Sequence, residues 1–362
     1  MNIEDEFLKF DCKDESFPAS KNYLSIYNIL KINFDTQIHP EIKTKILEIE
    51  KSGYYNDHGI DHIKMVVDRV SRLINQLTPT FLKSNSGFYI SPYEIFILLV
   101  AINLHDAGHL IASRKEHARK GLELLSRFDK GDLLDSSEKK IIGEIAKSHG
   151  GKEDPIGRLP EELSVSHRTI RPQFLAALLR LGDELAEDKT RASTLLLRLK
   201  DQKKEDYSTV IEPTSEIFHR FSASLDSIDI SGKEITLHFY IHEEQLSSLY
   251  PIVINKENKE KYLLDEIYAR TMKTFTETLY CNRYFPETLR LNTVKVEIHL
   301  LTEYHEDIQE PIKFVLRESG YPMMQNEDIF ELCKVSLTKP DGIKINGEYI
   351  HNLIKSKNEE SI

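Results

Sequence analysis

Apolar positions recur at helical spacing through the first half of the chain and at strand spacing in parts of the second. Ile63, Val66, Val67, Val70, Ile74 and Leu77 follow an i, i+3, i+4, i+7 pattern, which predicts an amphipathic helix. Ser91-Pro92-Tyr93-Glu94 carries a serine cap, proline in the first turn and glutamate three after the cap, so a helix starts there and runs through Ile95–Leu104 to His105. Asp135-Ser136-Ser137-Glu138 starts another, which Gly150-Gly151 ends. A fourth spans about Pro172 to Glu187, and Pro40 to Glu50 is predicted as a short helix in the lead-in.

Near residue 205 the pattern changes. Ile228–Ile230 and Ile235–Ile241 flank Ser231-Gly232, a hairpin signal. Lys256 to Tyr280 reads as a long helix with Leu264, Ile267, Phe275 and Leu279 on one side. Val294–Leu300 alternates as a half-buried strand does. Ile312–Arg317 and Ile329–Cys333 read as helical, and Gly342–Ile350 as a short strand or hairpin. The expected organisation is a mostly α chain followed by a smaller α+β domain. It comprises a helical lead-in (1–55), a helical domain (56–200), an α+β accessory domain (205–302) and a C-terminal extension (303–362) whose structure the pattern does not fix. There is no internal repeat or low-complexity tract.

Composition narrows the function classes. The chain has 362 residues, 40% hydrophobic and 30% charged, ordinary for a globular protein. No run approaches the roughly 20 apolar residues of a membrane helix. Cys12, Cys281 and Cys333 are scattered and form no CxxC pair, which argues against a disulfide framework or zinc ribbon. With an acidic, unsignal-like start (Met-Asn-Ile-Glu-Asp-Glu), these features predict a cytoplasmic protein with no membrane partner. A net charge of −11 disfavours binding nucleic acid through a broad basic surface, without barring a local basic channel. A homo-oligomer is compatible with all of this.

Six of the 14 histidines fall between residues 58 and 149: His58, His62, His105, His109, His117 and His149. His58 and His62 are four apart, as are His105 and His109, so each pair shares a helical face. A lone histidine beside an apolar face is usually structural. In Asn103-Leu104-His105-Asp106-Ala107-Gly108-His109, however, an apolar helix ends abruptly in a cluster of titratable groups. Burying such a cluster without compensation costs several kcal/mol, and a metal ion supplies compensation. Helical bundles build metal sites from inward-facing side chains in this way.

The order His62, then His105-Asp106, then Asp183 resembles the H…HD…D signature of the HD superfamily of metal-dependent phosphohydrolases. Local contexts resemble it too: His62-Ile-Lys-Met-Val66, His105-Asp106-Ala-Gly-His109 and Arg180-Leu-Gly-Asp183. Glu116-His117-Ala-Arg-Lys-Gly121 and Ser148-His149-Gly150 resemble the additional histidines of binuclear members. Arg171 to Asp183 also resembles a bacterial branch associated with GHKL-type ATPases and conflict systems, although no ATPase DxGxG motif follows. The resemblance covers about residues 50–195.

It implies an HD-type helical bundle in which His62, His105, Asp106 and Asp183 hold a first metal, with Asp106 bridging to a second held by His117 and His149. Imidazole and carboxylate suit Mn, Fe, Co, Ni or Zn better than Mg alone, in one or two copies. His58, His109 and Asp106 are the catalytic candidates. His58 precedes the first ligand by one turn, as the leaving-group acid does in cyclic-nucleotide phosphodiesterases; an imidazole can donate a proton at neutral pH. His109 is placed to contact a phosphate oxygen. Arg180, Lys147, Lys189 and Arg191 are candidate phosphate-binding groups. The implied activity is metal-dependent hydrolysis of a phosphate ester or anhydride in a nucleotide-type substrate by a metal-activated hydroxide. The rivals are a non-catalytic nucleotide sensor and a nuclease acting on single strands.

Overall fold

The structure is a computed structural model that describes residues 2–11, 15, 17–18, 21–42, 44, 59–75, 89–113, 116–129, 131–189, 197, 213–254, 257–318 and 328–360. The chain divides into two compact units. The first comprises Met1–Glu48, Asp57–Ala186 and Tyr280–Arg290; the second comprises Ile49–Asn56, Glu187–Leu279 and Leu291–Ile362. The first is mainly helical and the second is α+β. No helix among the described residues is long and apolar enough to cross a membrane.

In the first unit the helices are α1 (Ile3–Phe7), α2 (Tyr23–Asn33), α3 (Ile60–Asn75), α4 (Pro92–Leu104), α5 (His117–Phe128), α6 (Ser136–Lys147) and α7 (Pro172–Glu184). A hairpin of β1 (Leu163–Val165) and β2 (Arg168–Ile170) precedes α7. Every residue of α4 is buried, because α4 is apolar on all sides and α2, α3, α6 and α7 pack around it. The lead-in contributes to this core: Phe7 and Tyr23 lie on Phe96, at ring-centroid distances of 6.2 and 4.9 Å. Of the expected helix Pro40–Glu50, residues 43 and 45–50 lie outside the described residues, as does Leu77 of the first amphipathic pattern.

Polar side chains set the register of the ligand-bearing helices. The capping box of α4 forms, with Ser91 Oγ accepting from the Glu94 N–H at 3.1 Å and a Glu94 carboxylate oxygen accepting from the Ser91 N–H at 3.0 Å. The same carboxylate takes two 2.8 Å bonds from the Arg171 guanidinium at the start of α7. This pair ties together the starts of two 13-residue helices whose far ends deliver His105 and Asp183. Fully buried Glu138 accepts from the hydroxyls of Tyr23 at 2.7 Å and Tyr93 at 2.8 Å, fixing the start of α6, which ends beside His149.

The second unit contains α8 (Pro213–Ser224) and a four-stranded sheet in the order β3 (Leu225–Ser231), β4 (Glu234–His242), β7 (Thr293–Leu301), β8 (Ile312–Arg317). The β4–β7 pair is parallel and the other two are antiparallel. The expected hairpin is β3–β4, turning at Gly232 with φ +60°. A second antiparallel pair joins β5 (Leu249–Ile254) to β6 (Glu257–Tyr262). A helix follows over Leu263–Asn282, and a last one occupies Gly347–Glu360.

Three expectations for the later chain are corrected here. The helix expected over Lys256–Tyr280 begins only at Leu263. The Lys/Glu-rich stretch before it favours helix locally, but its backbone pairs with β5. Ile312–Arg317 is a strand, not a helix. Its faces alternate buried and exposed, but Val315 sits on the outer face at 43% exposure, and that apolar outlier hid the alternation. Gly342–Ile350 gives only an isolated bridge, Thr338 to Lys344, before the helix from Gly347. There Asn346 Oδ1 caps the Tyr349 N–H at 2.9 Å.

Candidate metal centre

Four chain segments of the first unit bring the histidines together. His62 lies in the first turn of α3 and shares a face with Val66 and Val70. A Cβ at position 182 would come within 2.4 Å of Val70 Cγ2, so glycine there lets α7 approach α3 closely and carries Asp183 to His62. His105 and Asp106 follow the last turn of α4. A 3-10 turn, Ala107–Leu110, then bends the chain. At Gly108 a Cβ would sit 1.9 Å from the His117 carbonyl oxygen, so only glycine allows the start of α5 to rest on this turn. His149 lies just beyond the end of α6.

Among the described residues, two groups have the composition and spacing to hold a metal ion: His62, His105 and Asp183, and Asp106, His117 and His149. In the first, His62 Nε2 is 3.1 Å from Asp183 Oδ1 and 3.4 Å from His105 Nε2, and His105 Nε2 is 3.5 Å from Asp183 Oδ1. Asp106 Oδ2 joins them, 3.3 Å from His105 Nε2 and 3.6 Å from His62 Nε2. Ligand atoms about 2.1 Å from a shared ion stand about 3.0–3.4 Å apart in octahedral or tetrahedral arrangement, so the spacing fits. The other oxygen of Asp106 faces the second group. Oδ1 is 3.4 Å from His117 Nε2 and 3.7 Å from His149 Nε2, and those nitrogens are 3.1 Å apart.

The imidazoles are aimed as well as gathered. His105 Nδ1 donates to the Ile102 carbonyl at 2.7 Å, and His149 Nδ1 donates to the Ala146 carbonyl at 2.6 Å. Committing Nδ1–H to a backbone carbonyl directs the Nε2 lone pair inward, the arrangement of metal-bound histidine. Burial would push the His105 imidazolium toward losing its proton, yet the Asp106 and Asp183 carboxylates hold its pKa well above the usual imidazole range. Desolvation would raise Asp183, but hydrogen bonds from His105 and His62 pull it well below the carboxylate range. His149 goes the other way. Burial, joined by the charge on His105, lowers it to about 4 and leaves it neutral.

The remaining sequence candidates fall in different places. His109 is buried, stacks on His117 at 4.0 Å and has Nε2 3.8 Å from Asp106 Oδ1. Arg180 donates to the carbonyls of Ser148 at 3.5 Å and Gly151 at 3.1 Å. Lys147 pairs with Glu144 on the exposed side of α6, and Lys189, in the second unit, pairs with Asp226. His58 and Arg191 lie outside the described residues. Sequence reasoning passed over Asp154, Tyr280, Arg283 and Tyr284, which meet around the loop after His149. Asp154 lies more than 120 residues before the other three, and they carry no motif.

No curated protein and no solved structure matches the chain. The profile of the HD-CE family matches residues 52–271, a span that contains every ligand candidate of the two groups and more than half of the 362 residues. With a His/Asp cluster able to bind a divalent metal inside that span, the chain belongs to the HD-CE family.

Proposed function

We propose that the protein hydrolyses a phosphate ester or anhydride bond in a nucleotide-type small molecule, using one or two divalent cations. One observation carries this reading: Asp106 turns Oδ2 to His62 and His105, the imidazoles grouped with Asp183, and Oδ1 to His117 and His149. A carboxylate shared between two imidazole-rich sets suits a pair of ions acting on one phosphoryl group. When bound, such ions supply a water made nucleophilic near neutral pH and positive charge that polarises the phosphoryl oxygens. His62, His105, Asp106 and Asp183 would hold the first, and Asp106, His117 and His149 the second.

The chain's own groups account for orientation and access. The Asp183 and His117 side chains are the most open of the set, at 26% and 15% exposure, so the substrate phosphate approaches on their side. His109, stacked beside His117, is assigned to contact a phosphate oxygen. His58 keeps its role as leaving-group acid on sequence grounds alone.

Metal analysis of the purified protein, with a panel of mononucleotides, cyclic nucleotides, dinucleotides and short single strands in Mn²⁺, tests the reading by mass spectrometry. Turnover of a small nucleotide is expected from the natural chain. It is expected to vanish in His105→Ala and Asp106→Ala, with the circular dichroism of the fold retained. Full activity in either variant overturns the site, a bound but unaltered nucleotide supports a sensor, and cleavage restricted to oligonucleotides supports a nuclease.

A further inference from the structure

His149 sits where α6 gives way to a long irregular loop. It follows the last helical turn of α6, with its backbone N–H and its Nδ1–H both directed at the Ala146 carbonyl, at 3.3 and 2.6 Å. Residues 150–162 after it form turns with neither helix nor strand. Such a loop does not by itself hold an imidazole to the tolerance a metal requires.

Two other segments of the same unit tie this loop down. From α7, the buried Arg180 guanidinium reaches the carbonyls of Ser148 and Gly151, one on each side of His149. The second segment is Tyr280–Arg290. Tyr280 donates its hydroxyl to Asp154 Oδ1 at 2.9 Å and accepts from the Ile156 N–H at 3.0 Å. Arg283 donates to Asp154 Oδ2 at 3.2 Å, and the Tyr284 hydroxyl also donates to Asp154. Asp154 has φ +22°, a backbone state that residues other than glycine seldom adopt, so these bonds maintain an otherwise unfavourable bend. The two ties meet, since the Arg180 guanidinium lies 4.9 Å from the centroid of the Tyr280 ring.

We infer that Arg180, Tyr280 and Asp154 form one clamp that positions His149 as a ligand of the second cation. This rests on the reading that the cluster holds two ions. It makes Arg180 a positioning residue instead of a phosphate-binding one. It also makes occupancy of the second set depend on a tyrosine 126 residues downstream of its partner aspartate.

The test uses the full-length protein with Mn²⁺ alone, followed by equilibrium dialysis and electron paramagnetic resonance. The natural chain is expected to take up two ions with an exchange-coupled signal. Tyr280→Phe keeps the ring beside Arg180 and removes both hydrogen bonds, and Asp154→Asn weakens the same junction at a half-exposed position. Each is expected to weaken the second ion about tenfold or more, the size typical of losing an outer partner of a metal ligand. The first ion and the melting temperature of the metal-free protein stay unchanged, and the signal becomes that of an isolated Mn²⁺. Arg180→Gln is expected to do the same more strongly; because Arg180 is buried, the two milder variants decide the matter. Two ions bound with natural affinity in both milder variants overturn the clamp alone. Parallel loss of both ions with a lowered melting temperature also overturns it, by showing a merely structural role. A natural chain that binds no Mn²⁺ overturns the functional reading, and the clamp with it.

Discussion

The two halves of the candidate metal centre are built on different supports. His62, His105 and Asp183 come from α3, α4 and α7, helices packed on one another in the core, and the His62 and His105 side chains are fully buried. His117 and His149 come from the first residue of α5 and the turn after α6, and their side chains keep 15% and 6% exposure. Rigid helix packing sets the first group; a glycine contact and a clamped loop set the second. A ligand set inherits the stiffness of what carries it, so the first group is expected to bind its ion more tightly than the second.

The most severe way to break this contrast is to remove the residue common to both halves. Asp106→Ala is expected to lower turnover by about 10³-fold or more, on the order of 4 kcal/mol of transition-state stabilisation, and to reduce bound metal below two per chain. Steady-state kinetics and elemental analysis check this. Acidity separates the halves next. His105 holds its proton to a pH well above the usual imidazole range, so binding at the first set must displace a proton; below that raised pKa, affinity is expected to fall about tenfold per pH unit. His149, at about 4, adds no such dependence near neutrality. Competition with a chelator between pH 8 and 6 is expected to show the first set weakening as the pH falls.

Milder changes sharpen the comparison. His149→Ala is expected to leave one ion bound with reduced turnover, whereas His62→Ala is expected to lose the tighter ion. Metal titration of the two variants side by side distinguishes them. The smallest effect is on packing. Gly182→Ala forces a methyl against Val70 and is expected to cost about 1–3 kcal/mol of stability by thermal denaturation, with the first ion weakened more than the second.

Legibility followed the same division. Helices α3, α4, α6 and α7 could be read because their apolar periodicity and caps are local. Ser91 and Glu94, for example, cap α4 whatever surrounds them. The strand at Ile312–Arg317 could not, since its partner, Thr293–Ile298, lies in a separate segment, and the strand at Glu257–Tyr262, though it pairs with the adjacent Leu249–Ile254, is hidden by a Lys/Glu-rich run that favours helix. Arg180 carried a charge that suggested phosphate, but its direction toward two backbone carbonyls comes from a loop 29–32 residues away.

By itself the sequence determined which side chains are available for chemistry and in what order: histidine and aspartate at helix beginnings and ends, spaced by helical turns, in an acidic chain. Only the tertiary structure decided how the two oxygens of Asp106 are divided, and that Tyr280 reaches back to the loop behind His149. The physical reason is range. Periodicity and capping act within a few residues along the backbone, whereas the direction of a carboxylate or a guanidinium is set by packing among segments far apart in the chain.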